Sequence, residues 1–478
     1  MNAAPHLRRN TNTESGFRSE SPLPQPQDAR RAMGFAVVAA TTAVIWLTLL
    51  SGWLTVTPGS VIVQRSNVLF NSDTNTWINE VVNGDAPSAA DRVIHPLDAF
   101  LWRAPCSALR AVLQIALPSN QAGLLASRLL VAAVAGAGVG WLAWLARALG
   151  VAMRDSLLLF AVYLLFTANS TIALPEHFGL SNGLLSAAFV LPIFVTHRHV
   201  RTLLVAGLVP LCGGTTVTNA LFPLSAIYQW SVESPHVRRA ILVAVIGALP
   251  IAIFLFVDSR KVVLVYTDTD KEVARRVSVL PAHVPAVTRW YLKTTKLHGH
   301  VIDYLNLRLI HHPADALEYA LFAVIAPAVG PAPEVRTTKG ADMVTYESGQ
   351  PLRWDPNGYF RGADARPLRR YGPLQAVGAV CWLVLFGACA YMAFRDGRTR
   401  PLAWLPAGWI LFNIVLHNVW GDELFLYAPH WSWALMALVV LGARRLSTAA
   451  VPCLVVPIVS CQVYALTHIR QALLTIVR

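Results

Sequence analysis

The chain is expected to be an all-α polytopic membrane protein, with about eleven transmembrane helices, a surface helix at the outer face and a long outside segment. Three observations predict this. Of its 478 residues, 55% are hydrophobic and only 14% are charged, whereas a soluble chain carries about a quarter charged residues. The apolar residues gather in runs such as 34–54 and 240–257. These match the roughly 20 residues that a helix needs to cross the hydrocarbon core. They are also too long and too uniformly apolar for barrel strands, and lipid-exposed backbone must be paired internally.

The formal charge of +13 would point to nucleic acid in a soluble protein. Here much of the excess lies in short loops and the N-terminal tail, where Lys and Arg set orientation. No nucleic-acid motif accompanies it, so no nucleic-acid partner is expected. Cys106, Cys212, Cys381, Cys389, Cys453 and Cys461 form no CxxC pair and fall mostly in apolar runs. They read as small hydrophobic residues, not as a disulfide framework or a zinc site.

The elements follow in order. Residues 1–32 are polar and Pro-rich and form a disordered cytoplasmic tail. Arg30 and Arg31 place the N-terminus in the cytoplasm. A first span at about 33–56 opens an N-terminal transmembrane module, 33–257, whose first outside loop is 57–120. Within that loop, 97–117 mixes apolar stretches with Arg103 and Arg110, which suits an interfacial helix lying on the membrane or, nearly as well, a loosely packed surface helix. Further spans fall near 122–146, 155–172 and 178–196, with basic turns at Arg147, Arg154 and Arg198 inside.

The stretch 202–230 is either one long span or two short helices meeting at Cys212-Gly213-Gly214-Thr215. Parity selects the hairpin, because Arg238-Arg239 and the basic turn 395–400 both belong in the cytoplasm. A seventh span, 240–257, leads to a long extracytoplasmic segment, 258–370. In it, 281–308 reads as an amphipathic helix whose Arg289, Lys293, Lys296 and Arg308 face lipid phosphates. Residues 327–370 read as irregular, and His298, His300, His311 and His312 as solvated loop histidines. A C-terminal transmembrane module, 371–478, supplies spans near 371–394, 401–417, 431–446 and 448–466. There is no internal repeat of the kind an inverted-repeat transporter carries.

This topology brings polar groups to one face. Asp73, Glu176, Asn219, Asp422 and Glu423 all fall at the outer ends of spans, whereas the inner ends carry Arg and His. Carboxylates gathered on one side serve acid–base chemistry or a divalent metal. Each also has a structural reading. Asp73 suits a helix N-cap, and Glu176, after Pro175, a capping carboxylate for the fourth span. Asn219 suits bonding to backbone freed at the hairpin tip. The Trp and Tyr residues of the 420–431 block suit interface anchors. That leaves Asp422 and Glu423 beside Leu424 and Phe425 unexplained.

A first span, an outside loop with Asp73 near its start, then His95-Pro96-Leu97 and a surface helix together resemble the GT-C superfamily of membrane glycosyltransferases. The resemblance covers mainly the layout of residues 33–200. Ser72-Asp73-Thr74 holds one carboxylate where that superfamily commonly has a doubled acidic motif. The resemblance implies transfer of a sugar from a polyprenyl-phosphate donor to a glycan, lipid or protein acceptor at the extracytoplasmic face. Asp73 would be the catalytic base or metal ligand. His95, Glu176, His177, Asn219, Asp422 and Glu423 would bind substrate, and a divalent metal, Mg or Mn, is the implied cofactor. The composition fits a bacterial inner membrane. The competing readings are a transporter or flippase for a lipid-linked or anionic substrate, a surface-glycan polymerase or ligase, and a non-catalytic assembly subunit of the cell envelope.

Overall fold

The computed structural model describes residues 26–55, 74–85, 95, 97–195, 197–232, 274, 313–332, 334–338, 341–345, 353–354, 360–361, 367–419, 425–447 and 449–477. Their regular structure is helical apart from two short antiparallel strand pairs. Among them, five helices are long and apolar enough to cross a membrane: Ala32–Thr55, Ser119–Ala148, His177–Phe194, Pro373–Arg395 and Ala450–Thr475.

The first helix, α1 (Pro26–Thr55), starts inside the tail expected to be disordered through residue 32. A short helix, α2 (Thr74–Trp77), runs on as a π-turn over Ile78–Asn83. The expected surface helix is α3 (Asp98–Leu113). It leads into α4 (Ser119–Ala148). Glycines let α4 approach two neighbours closely. A Cβ on Gly140 would sit 2.8 Å from Ala40 Cβ and 3.1 Å from Ala36 O of α1. On another face, a Cβ on Gly138 would meet Gly183 Cα at 2.9 Å. Small residues at such crossings replace the hydrophobic driving force that lipid does not supply.

The third expected span, 155–172, is not a single span. It is α5 (Met153–Leu164), a break, and the four-residue α6 (Asn169–Ile172). Twelve residues rise only about 18 Å. The break is set by Asn169, whose Nδ2 donates to Tyr163 O at 2.8 Å and Leu164 O at 2.7 Å. Trp46 Nε1 also donates to Leu164 O, at 2.7 Å. The orphaned carbonyls at the end of α5 are therefore satisfied inside the protein. The fourth span is α7 (His177–Phe194).

The stretch 202–230 divides into two helices rather than forming one long one. They are α8 (Arg198–Thr215) and α9 (Leu221–Val232), joined by a 3-10 turn at Val217–Ala220. The expected span at 240–257, the expected helix at 281–308 and the four loop histidines lie outside the described residues.

Within segment 258–370, a helix packs into the core of the bundle. This helix, α10 (Pro313–Val329), carries Phe322, Ala323, Ile325, Ala326, Ala328 and Val329 fully buried in the main core. The apolar stretch is short of membrane length, so hydropathy alone ranks it below a span. Residues 327–370 are not irregular throughout. Strand β1 (Glu334–Thr338) pairs with β2 (Ala341–Thr345), and β3 (Arg353–Trp354) with β4 (Phe360–Arg361).

The C-terminal helices are α11 (Pro373–Arg395), α12 (Arg400–Val419), α13 (Pro429–Ala443) and α14 (Ala450–Val477). All of α13 is buried, so it is a central helix. Two residues past its end, Arg445 pairs with Asp396 of the α11–α12 turn at 3.0 Å.

The C-terminal end of α10 stops inside this bundle, and its carbonyls find donors on its neighbours. Trp431 bonds Ala323 O at 2.8 Å and Trp382 bonds Val324 O at 2.8 Å. Thr167 Oγ1 bonds Ala326 O at 2.7 Å, and Ala168 N bonds Pro327 O at 3.1 Å. Gln462 Nε2 bonds Ala328 O at 3.0 Å and Tyr371 OH bonds Gly330 O at 2.7 Å. A buried helix end is tolerated only with such complete pairing. The six cysteines are free thiols, and four of them are buried, in line with their reading as small hydrophobic residues.

Candidate functional site

The site forms where the first loop meets the break between α8 and α9. Leu97 N donates to Gly214 O at 2.9 Å. Gly214 must be glycine for this approach, because a Cβ there would lie 2.9 Å from Leu97 Cβ and 3.0 Å from Leu101 Cδ1. His95 Nδ1 lies 2.7 Å from Thr215 O. A carbonyl can only accept, so Nδ1 carries the proton and a neutral ring has Nε2 as its acceptor. Trp102 Nε1 donates to Thr215 Oγ1 at 3.2 Å, fixing the same turn from α3. Thr216 Oγ1 then links His95 Nδ1, at 3.3 Å, to Ser181 Oγ of α7, at 3.4 Å.

Four imidazoles from four segments succeed one another from this point. The His95 and His177 rings are 3.8 Å apart between centroids. His177 and His430 of α13 are 6.4 Å apart, as are His430 and His417 of α12. Tyr427 stacks on His417 at 4.3 Å, and Phe178 meets both Tyr427 and His430 edge-on. His177, His417 and His430 are all buried. Rings this close in a dry interior cannot all be charged, so a row of mainly neutral imidazoles is the stable state.

Glu176 holds the N-cap position of α7 with extended backbone, yet its side chain makes no capping hydrogen bond. It is 1% exposed, and its Oε1 lies 4.0 Å from His177 Nδ1. The residue thus has the placement of a capping carboxylate without that use. Asn182, one turn further along α7, donates to Pro429 O at 2.8 Å and Ser432 Oγ at 2.9 Å, tying α7 to the start of α13. Trp409 and Trp433 both donate to His430 O, at 2.6 and 2.9 Å, and hold its backbone still.

His95, Glu176 and His177 therefore converge. Asn219 lies one turn beyond Thr216, where its N–H donates to Thr216 O at 2.9 Å. It is 1% exposed, and neither side-chain amide atom has a hydrogen-bond partner among the described residues. The expected use of Asn219, bonding freed backbone, is not what its side chain does there. Asp73, Asp422 and Glu423 lie outside the described residues. Sequence reasoning missed His417, Tyr427, Asn182 and the role of His430. The signal was available in the shared parity of the 418–430 turn and Glu176.

Among the described residues, no three His, Cys, Asp or Glu side chains are grouped so as to hold a metal ion. The donors gathered here are imidazole nitrogens with Glu176 beside them. Mg and Mn are hard cations that want several oxygens, so the described donors do not fit them.

Comparison with protein-family models, with curated proteins and with solved structures finds no match.

Proposed function

We propose that this protein is an integral-membrane glycosyltransferase that moves a sugar from a polyprenyl-phosphate donor to an acceptor hydroxyl at the extracytoplasmic face. The reading includes eleven spans, a cytoplasmic N-terminus and a bacterial inner membrane. One observation carries it. His95 of the first loop, Glu176-His177 at the start of α7 and His430 at the start of α13 meet in one buried polar cluster, and the Glu176 carboxylate there is not used as a helix cap.

The acceptor oxygen attacks the anomeric carbon as the bond to the donor phosphate breaks, and inversion follows from a single displacement. Asp73 takes the proton of the acceptor hydroxyl. His95, held through Nδ1, presents Nε2 toward substrate. Neutral imidazoles and the Asn219 amide suit hydroxyl recognition, because they both give and accept hydrogen bonds. Glu176, Asp422 and Glu423 complete the proposed binding set. Arg and Lys from the 258–370 segment would meet the charge that grows on the leaving phosphate.

The test is mass spectrometry of lipid extracts from cells lacking the protein, complemented with wild type, Asp73→Asn or Glu176→Gln. A polyprenyl-phosphate sugar that accumulates without the protein, and that neither variant clears at normal membrane level, supports the reading. An unchanged lipid-linked pool in every strain removes it.

One feature favours transport as the second reading. A half-length helix that ends inside the bundle, as α10 does, is a device of transporters. The carbonyls at its end already have protein donors, so they are not placed to coordinate a cation, and transport stays second.

A further inference from the structure

Helix α3 has two apolar faces, and only one of them is covered by protein. Trp102, Cys106, Leu109 and Leu113 pack into a core shared with α2, the π-turn, α4 and α7. On the opposite side Phe100, Ala104, Ala108, Ala111 and Val112 are exposed, and the turn that follows adds Ile115. Their three- and four-residue spacing makes them one stripe. Phe100, Val112 and Ile115 are 80%, 62% and 86% exposed.

The stripe carries no charge, because the arginines of α3 are turned away from it. Arg103 donates to Glu80 O at 2.7 Å and Asp85 O at 2.8 Å, and Arg110 donates to Val82 O at 2.9 Å. Both are thus engaged by carbonyls of the π-turn and its exit.

The depth of the stripe follows from α4. That helix is long and apolar enough to span, and it starts at Ser119, just after α3 ends at Leu113. A Cβ on Gly123, in the first turns of α4, would lie 3.5 Å from Arg110 Nε. So α3 lies level with the end of a span, where hydrocarbon gives way to headgroups. An uncharged apolar face at that depth meets acyl chains.

The same helix holds the His95 loop. Leu97 N donates to Gly214 O at 2.9 Å, and Trp102 Nε1 donates to Thr215 Oγ1 at 3.2 Å. Leu97 and Leu101 close on Gly214, while Phe100 between them is turned out of the protein.

We propose that the stripe from Phe100 to Ile115 seats α3 in the lipid leaflet at the start of α4, and that this seating holds His95 and Leu97 on the α8–α9 break. The inference goes beyond the proposed glycosyl transfer and is read without turnover, so either can fail alone.

The experiment places p-benzoylphenylalanine, which on irradiation joins to nearby C–H bonds, at Phe100, Val112 or Ile115 of the full-length protein in phosphatidylcholine nanodiscs. Intact-protein mass spectrometry should show phosphatidylcholine adducts at all three positions. The same probe at Asp85, exposed just past the π-turn, should give none. Hydrogen exchange in the same discs reads the docking. Phe100→Ser and Ile115→Ser should each speed exchange of the 97–102 amides roughly tenfold, as local opening becomes easier. Gly214→Ala, whose Cβ would clash with Leu97 and Leu101, gives the exchange of a freed loop. Val384→Ser, at an exposed position of α11, should leave these amides unchanged. Absence of lipid adducts at Phe100 and Ile115, or equal adducts at Asp85, would overturn the seating. So would protein–protein adducts in their place, which would mark a face between two copies of this chain. Lipid adducts with unchanged exchange in both serine variants would overturn the link to His95.

Discussion

Trp431 Nε1 donates to Ala323 O at 2.8 Å, and Ala323 O is the carbonyl that Pro327, having no N–H, leaves without its helical donor. The indole of one central helix thus repairs a proline break in another. Because Trp431 follows His430, the repair also fixes the start of α13 at the candidate site.

Trp431→Phe keeps most of the packing and deletes the donor. The expected cost is about 1–3 kcal/mol, that of an orphaned buried carbonyl, read as a lower unfolding midpoint in detergent. In a Pro327→Ala background the backbone N–H returns, so the cost of Trp431→Phe should shrink. Equal costs in the two backgrounds would sink this account.

Glu176→Gln separates chemistry from capping. A cap lost to an isosteric amide would cost stability. Because Glu176 makes no capping bond, the variant should not show the loss of about 1 kcal/mol that a lost cap brings, while turnover falls roughly 10²-fold or more. A large melting shift with retained turnover would return Glu176 to a structural role.

Gly214→Ala should unseat the His95 loop. The added Cβ meets Leu97 and Leu101 at 2.9–3.1 Å, an overpacking cost of about 1–3 kcal/mol. Turnover should fall with it, because His95 is held to Thr215 O by the same docking. Gly387→Ala, inside α11 where a Cβ would meet nothing within 4 Å, is the control and should leave turnover unchanged without any loss of stability.

The Asp396–Arg445 pair carries a pH dependence. Burial raises the Asp396 carboxyl, but the Arg398 backbone N–H and Arg445 outweigh it, and the group ends below its ordinary 3.8. Its stabilisation is therefore full above that value and is lost as pH falls through the depressed one. Arg445 is half-exposed, so Arg445→Gln should cost less than about 1 kcal/mol at pH 7. Denaturant unfolding of both proteins at pH 7 and near pH 3 should show the gap narrowing in acid.

Gly183→Ala should be severe. A Cβ there would sit 2.1 Å from Val134 O, a backbone atom that cannot swing away. Loss of folded protein in the membrane fraction is the expected result.

Long apolar runs made the principal helices readable, and the Gly213-Gly214 pair marked where 202–230 divides, just before the turn at Val217–Ala220. Two features were not readable. Helix α10 is buried among protein neighbours and so needs neither membrane length nor a polar face, the two cues that hydropathy supplies. The row of imidazoles was hidden because His95, His177, His417 and His430 lie on four segments, and a lone histidine at a helix end carries no spacing signal. Three of the expected site residues, His95, Glu176 and His177, do meet.

The pairing at the end of α10 also constrains the order in which the protein can be made. Its donors include Tyr371, Trp382, Trp431 and Gln462, all of which leave the ribosome after residue 330. Released early into hydrocarbon, the end of α10 would face lipid with bare carbonyls. The segment must therefore stay near water or the insertion machinery until the C-terminal helices arrive, and only then slide into place. Biogenesis closes the bundle from its C-terminal half inward.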